Sequence, residues 1–197
     1  MSNVLYGILM GVAILGITAA SVFFALTMGD GNALVNPPSA LPAAYALEDI
    51  PLFVTRDPSA MRWARPVADA VAWWNGQVPG LFLDGGELDR AWATGALISI
   101  VEAHILPEAN GQLHEKDAYL CARRGDFCAI TRQYIDLSDL TPDVHALRVR
   151  IVAHSIGHAI GLDHDHTLES VMFADSLRGG FLLPDATRAL IKRRYGK

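Results

Sequence analysis

The most pronounced pattern along the chain is an absence of charge. From Val4 to Met28 apolar and small residues run for 25 positions with no Asp, Glu, Lys or Arg. As a helix this stretch would be about 37 Å long, enough to cross a bilayer core of roughly 30 Å with some tilt. Tyr6 stands near one end, and Phe23 and Phe24 near the other, where aromatic side chains meet the membrane interface. A cleaved signal peptide fits less well, because no Lys or Arg precedes the run and the run exceeds the usual apolar core of such peptides. The pattern predicts a short tail at 1–3, a transmembrane helix at 4–28 and a Pro-rich linker at 29–47. The linker holds three prolines among small residues. A domain at 48–197 follows. The first Lys or Arg is Arg56, so flanking charge says little about orientation. The α-amino group and Asp30 lean towards a domain on the extracytoplasmic side of a single-pass membrane protein.

Beyond the linker the pattern breaks into short elements. Leu52 to Thr55, Leu81 to Leu83 and Leu97 to Glu102 read as strands. Tyr119 to Arg123 and Ala129 to Leu137 read as a strand pair around a turn at Gly125-Asp126. Between the first two strands, Val67, Ala70, Val71 and Trp74 form one stripe of a helix over Pro66 to Gln77. Thr141-Pro142-Asp143 has the cap, first-turn proline and early acid of a helix start. The helix it predicts runs to Ile160, with Val144, Leu147, Ile151, His154 and His158 on one face. A last helix spans Pro184 to Tyr195, with Leu190 and Ile191 inward and a basic run at Lys192 to Arg194 outward.

The chain has 197 residues, a 51% hydrophobic content and a formal net charge of −5. That balance argues against a general nucleic-acid binder, which carries a basic surface. The two cysteines, Cys121 and Cys128, flank the predicted turn. They either form a disulfide, in an oxidising compartment, or remain two free buried thiols.

Candidate chemistry concentrates at His154 to His164, HSIGHAIGLDH. His154 and His158 lie one helical turn apart, so both imidazoles leave one face. Gly161 ends the helix, and His164 can then turn back towards them. Three neutral imidazoles around a point hold a catalytic zinc with a fourth position open for water. His166 is a less favoured alternative ligand, and His104, His114 and His145 lack ligand spacing.

This stretch resembles the long zinc signature of the metzincin peptidases, H-E-x-x-H-x-x-G-x-x-H. The segment from about residue 50 to 197 is most similar to the matrixin branch. Gly161 to His164 reads GLDH as matrixins do. Met172 follows the third histidine by eight residues, where the family places a methionine turn beneath the metal. Trp73-Trp74-Asn75 and Tyr195-Gly196 are weaker matches. The resemblance implies an α+β, zincin-like fold: a small twisted mixed sheet with an active-site helix and a C-terminal helix, here preceded by one transmembrane helix. It implies one zinc ion on His154, His158 and His164 plus water. It also implies a polypeptide substrate or protein partner along an edge strand, near Cys121. The family's specificity loop would be Ala174 to Leu183. Motifs for the family's second zinc and its calcium ions are not found.

One position departs from the signature. Ser155 stands where the family has the glutamate that carries the proton. A serine hydroxyl is neutral at pH 7 and is no base. Three accounts stay open: an inactivating substitution, a native pseudo-peptidase that only binds, or a substitute carboxylate among Asp163, Asp165, Glu169 and Glu102. The expectation is a membrane-anchored zinc endopeptidase scaffold weakened or inactive at Ser155. The alternative is a non-catalytic, zinc-bearing binding or structural module.

Overall fold

The computed structural model describes residues 32–35, 43–87, 96–106, 116–124 and 127–196. The chain divides into two units, Met1–Asn32 and Ala33–Lys197. The predicted membrane span at 4–28 and most of the linker lie outside the described residues. Among the described residues no helix is long and apolar enough to cross a membrane.

The fold is α+β. Its strands are β1 (Asn32–Val35), β2 (Ala43–Ala44), β3 (Leu52–Arg56), β4 (Phe82–Glu87), β5 (Leu97–Ala103), β6 (Lys116–Arg124) and β7 (Phe127–Ser138). They form one sheet in the order β1-β6-β7-β5-β3-β4, with β2 also on β7. The strands β4, β3, β5 and β7 run parallel, and β6 runs antiparallel to β7. The sheet is therefore mixed, as expected. The segment around Cys121 is not the outermost strand, because β1 borders β6. A sequence reading misses this because a four-residue strand, Asn-Ala-Leu-Val, inside a stretch of linker composition is too short to show an alternating pattern. Register sets Cys121 opposite Ile130 and Cys128 opposite Arg123. The side chains that would form the Cys121–Cys128 disulfide lie outside the described set.

Among the described residues three α-helices accompany the sheet: α1 (Ala64–Gln77), α2 (His145–Ala159) and α3 (Asp185–Tyr195). Asp57 accepts from the Ser59 N–H at 2.9 Å and caps a 3-10 helix, Pro58–Trp63, that leads into α1. Pro66 falls in the first turn of α1, where its missing N–H leaves no bond unmade. Between α1 and β4, the Asn75 amide donates to Phe82 O at 2.8 Å and accepts from Phe82 N at 3.1 Å. The core joins Leu52, Ile98, Ile100 and Ile135 of the sheet to Trp63, Trp74, Ile156 and Met172.

The start of α2 differs from expectation. The helix begins at His145, and extended Val144 precedes it without a side-chain cap. Asp143 is instead drawn into an ion pair with Arg148 Nη1 at 2.6 Å. Thr141 contributes its carbonyl to the same guanidinium. A buried arginine thus takes the acid that would otherwise face the helix N-terminus.

Candidate metal centre

The helix α2 is buried on most sides over its second half, and α1 packs against it. Trp74 Nε1 donates to Ala153 O at 3.0 Å, next to the first histidine. Gly157 has no side chain because none fits: a Cβ there would sit 2.3 Å from Met172 Sδ. The methionine predicted to floor the site is 1% exposed and lies against the turn of helix that carries His154 and His158.

The helix ends by a glycine-dependent motif. Gly161 adopts φ +84, its N–H donates to His158 O at 2.8 Å, and Leu162 N donates to Gly157 O at 3.0 Å. This pair of bonds is the Schellman closure, which needs a left-handed residue and so favours glycine. The chain reverses there and brings His164 to the helix.

The two helix rings are then set by their outer nitrogens. His154 Nδ1–H donates to Val171 O at 2.8 Å, and His158 Nδ1–H donates to Leu162 O at 2.9 Å. A carbonyl only accepts, so both protons sit on Nδ1 and both Nε2 atoms carry lone pairs. Those lone pairs face one another. His158 Nε2 lies 3.0 Å from His154 Nε2 and 3.1 Å from His164 Nε2. Among the described residues, these three form the group of His, Cys, Asp or Glu side chains able to meet at one metal ion.

Burial disfavours charge here. It lowers the His154 pKa from 6.5 to about 4, with repulsion from His158 adding to the effect and the Val171 bond opposing it. Burial likewise lowers His158. Both rings are neutral at pH 7, the form that binds a metal. Bonds of about 2.0–2.1 Å at tetrahedral angles place ligand nitrogens about 3.3 Å apart. The observed separations are close to that, so the three residues fit a metal ion.

Ser155 does not join the centre through its hydroxyl. It is fully buried and donates to Ile151 O at 2.8 Å, one turn back along the helix. Two of the carboxylates singled out in the sequence, Glu102 and Asp165, are already engaged elsewhere. Glu102 is held by Arg62 and by Trp63 Nε1. Asp165 accepts from Thr167 N at 2.8 Å, and hydrogen bonds to Thr167 hold its pKa below the usual carboxylate value. Asp163, His164, Asp165 and His166 line an open cleft of about 340 Å³, with Met172 and Leu190 also in its lining. His104 pairs with Asp139 and His145 with Asp69, away from the three converging rings. His114 lies outside the described residues.

Three contributors are invisible to residue-type reasoning. Val171 and Leu162 act through backbone carbonyls, which any residue supplies at those positions. Arg150, one helical turn before His154, reaches the loop after Met172, donating from Nε to Ser176 O at 2.8 Å and from Nη2 to Leu177 O. The chain matches no protein-family model and no curated protein.

Proposed function

We propose that His154, His158 and His164 hold one zinc ion, and that the chain is a metzincin-like, matrixin-type metalloendopeptidase scaffold whose proton carrier is missing at Ser155. The observation that carries the proposal is the convergence of three Nε2 atoms at 3.0 and 3.1 Å, with the two helix rings fixed by carbonyls behind them. Nitrogen donors of this kind, three in number, suit zinc among the common biological cations. When bound, zinc supplies Lewis acidity, lowering the pKa of water towards 7 and polarising a carbonyl. The mixed α+β layout and the seating of Met172 beneath the helix support the zincin-like assignment.

The chain's own residues define what it does and what it does not do. The buried rings exclude protons and stay neutral. The cleft beside His164 is open to a ligand. An extended polypeptide, substrate or partner, suits such a scaffold by adding along an edge strand through main-chain hydrogen bonds. Ser155 offers no basicity, and its hydroxyl is already committed to Ile151 O. Loss of general acid–base catalysis lowers turnover about 10²–10⁴-fold. The uncharged segment at 4–28 anchors the domain to a membrane in this proposal, with the domain on the extracytoplasmic side.

The test restores the missing group. Ser155→Glu, loaded with zinc and given a mixed peptide library, is expected to cleave peptides that the parent chain leaves intact. If the variant binds zinc and cleaves nothing, the peptidase reading fails. The second reading then holds: a non-catalytic module that keeps metal and fold. The satisfied, buried hydroxyl of Ser155 is the observation in its favour.

A further inference from the structure

Arg150 has no chemistry assigned to it by the zinc proposal. Its guanidinium leaves α2 one turn before His154 and binds two successive main-chain carbonyls, Ser176 O and Leu177 O. Its direct hydrogen bonds go to main-chain carbonyls; burial lowers its pKa, and the nearby Asp175 carboxylate opposes that shift. The planar fork of an arginine suits two neighbouring acceptors, which a lysine's single nitrogen does not match.

The loop held in this way returns to the centre. From Asp175 it turns back and bonds along the segment ahead of Met172. Gly180 N donates to Leu168 O at 2.9 Å, Leu182 N to Glu169 O at 2.8 Å, and Val171 N to Leu182 O at 2.9 Å. Gly180 approaches so closely that a Cβ would meet Glu169 O at 2.2 Å. Val171, pinned through its N–H, turns its carbonyl to His154 Nδ1. The path closes on itself: Arg150 holds the loop, the loop holds Val171, Val171 orients His154, and α2 joins His154 to Arg150 over one turn.

We propose that Arg150 is a positioning residue for the metal centre, acting through the Ser176–Leu182 loop to fix the Val171 carbonyl and hence the ring and tautomer of His154. The inference rests on the metal-centre reading above. It makes metal affinity sensitive to a guanidinium that touches neither the metal nor its ligands. It also couples the loop that would shape specificity to the metal site, so that disturbing one disturbs the other.

The test compares zinc affinity and the visible absorption of the Co²⁺ form in the parent chain, Arg150→Met and Arg150→Lys. Partners that orient a metal-bound histidine typically contribute 10–100-fold to affinity. The methionine variant, which keeps much of the apolar stem, is expected to bind zinc about 10–100-fold more weakly and to shift the Co²⁺ bands. The lysine variant should fall between it and the parent, and it decides the matter alone if the methionine variant does not fold. Folded variants that bind zinc within about twofold of the parent, with unshifted bands, would overturn the role of Arg150 and leave the metal centre standing. A parent that binds neither ion would overturn both.

Discussion

Two polar clusters sit on the same helix, six residues apart, and solve the problem of burial in opposite ways. At the start of α2, Arg148 is 5% exposed, pairs with Asp143 and stands 5.3 Å over the Trp63 ring. The indole N–H donates to Glu102, which Arg62 also holds. Each cation there has a carboxylate, so the cluster closes with groups the chain itself provides. At the other end, His154 and His158 are buried neutral bases whose Nε2 atoms meet beside that of His164, and the Asp163 carboxylate only partly offsets the burial of His158. Two facing lone pairs at 3.0 Å repel unless a cation lies between. A proton is disfavoured there by burial. The comparison separates a polar cluster whose charges the chain itself matches from one whose side chains could meet at a metal ion.

The largest effect on stability is expected in the closed cluster. Glu102→Ala strips Arg62 of its carboxylate and Trp63 of its acceptor. Hydrogen bonds to charged groups contribute about 1.5–3 kcal/mol, so urea unfolding should show a loss of about 2–3 kcal/mol. Zinc binding per folded molecule should not change. A loss of zinc affinity in the folded variant would mean that the two ends of α2 are not independent.

Acid should act on the open cluster instead. The His154 pKa lies at about 4 and that of His158 below 6.5 in the folded chain. Between those values the unfolded chain binds protons that the folded chain refuses. The stability of the metal-free chain is therefore full above pH 6.5 and falls as pH drops towards 4. The slope approaches about 1.4 kcal/mol per pH unit for each extra proton. Denaturation curves across pH 4–7 measure it, and His154→Gln should flatten it. An unchanged slope in that variant contradicts the buried, neutral assignment.

A smaller effect is expected where the helix meets Met172. Gly157→Ala gains up to about 1 kcal/mol in helix propensity. It must also displace a sulfur 2.3 Å from the new carbon, and overpacking of this kind costs about 1–3 kcal/mol. Thermal unfolding should show a net loss of about 1 kcal/mol. A gain in stability would show that Met172 is free to move away.

Much of this was legible in the sequence because it depends on residue type and period. The stripe from Val67 to Trp74 marks α1. The spacing of His154, His158 and Gly161 marks a face and its closure, and Met172 packs against Gly157 on that helix. What escaped depends on competition between partners. Thr141-Pro142-Asp143 has every local mark of a helix start, yet Arg148 claims the aspartate and the helix begins four residues after Thr141. The carbonyls of Val171 and Leu162 that set the tautomers carry no side-chain signal. Arg150 sits on a helix where a charged residue reads as surface, and only the folded loop supplies its acceptors. The neighbour of β6 was missed because β1 belongs to a stretch with linker composition.

The central claim is that the three imidazoles form a metal centre. Titration of the metal-stripped chain with zinc at pH 7, followed by calorimetry and by metal analysis after desalting, tests it most directly. The account predicts one equivalent of zinc per chain, a raised melting temperature, and loss of both in a variant with His154, His158 and His164 all replaced by alanine. Retention of less than about half an equivalent by the parent, or equal zinc in the parent and the triple variant, would contradict it.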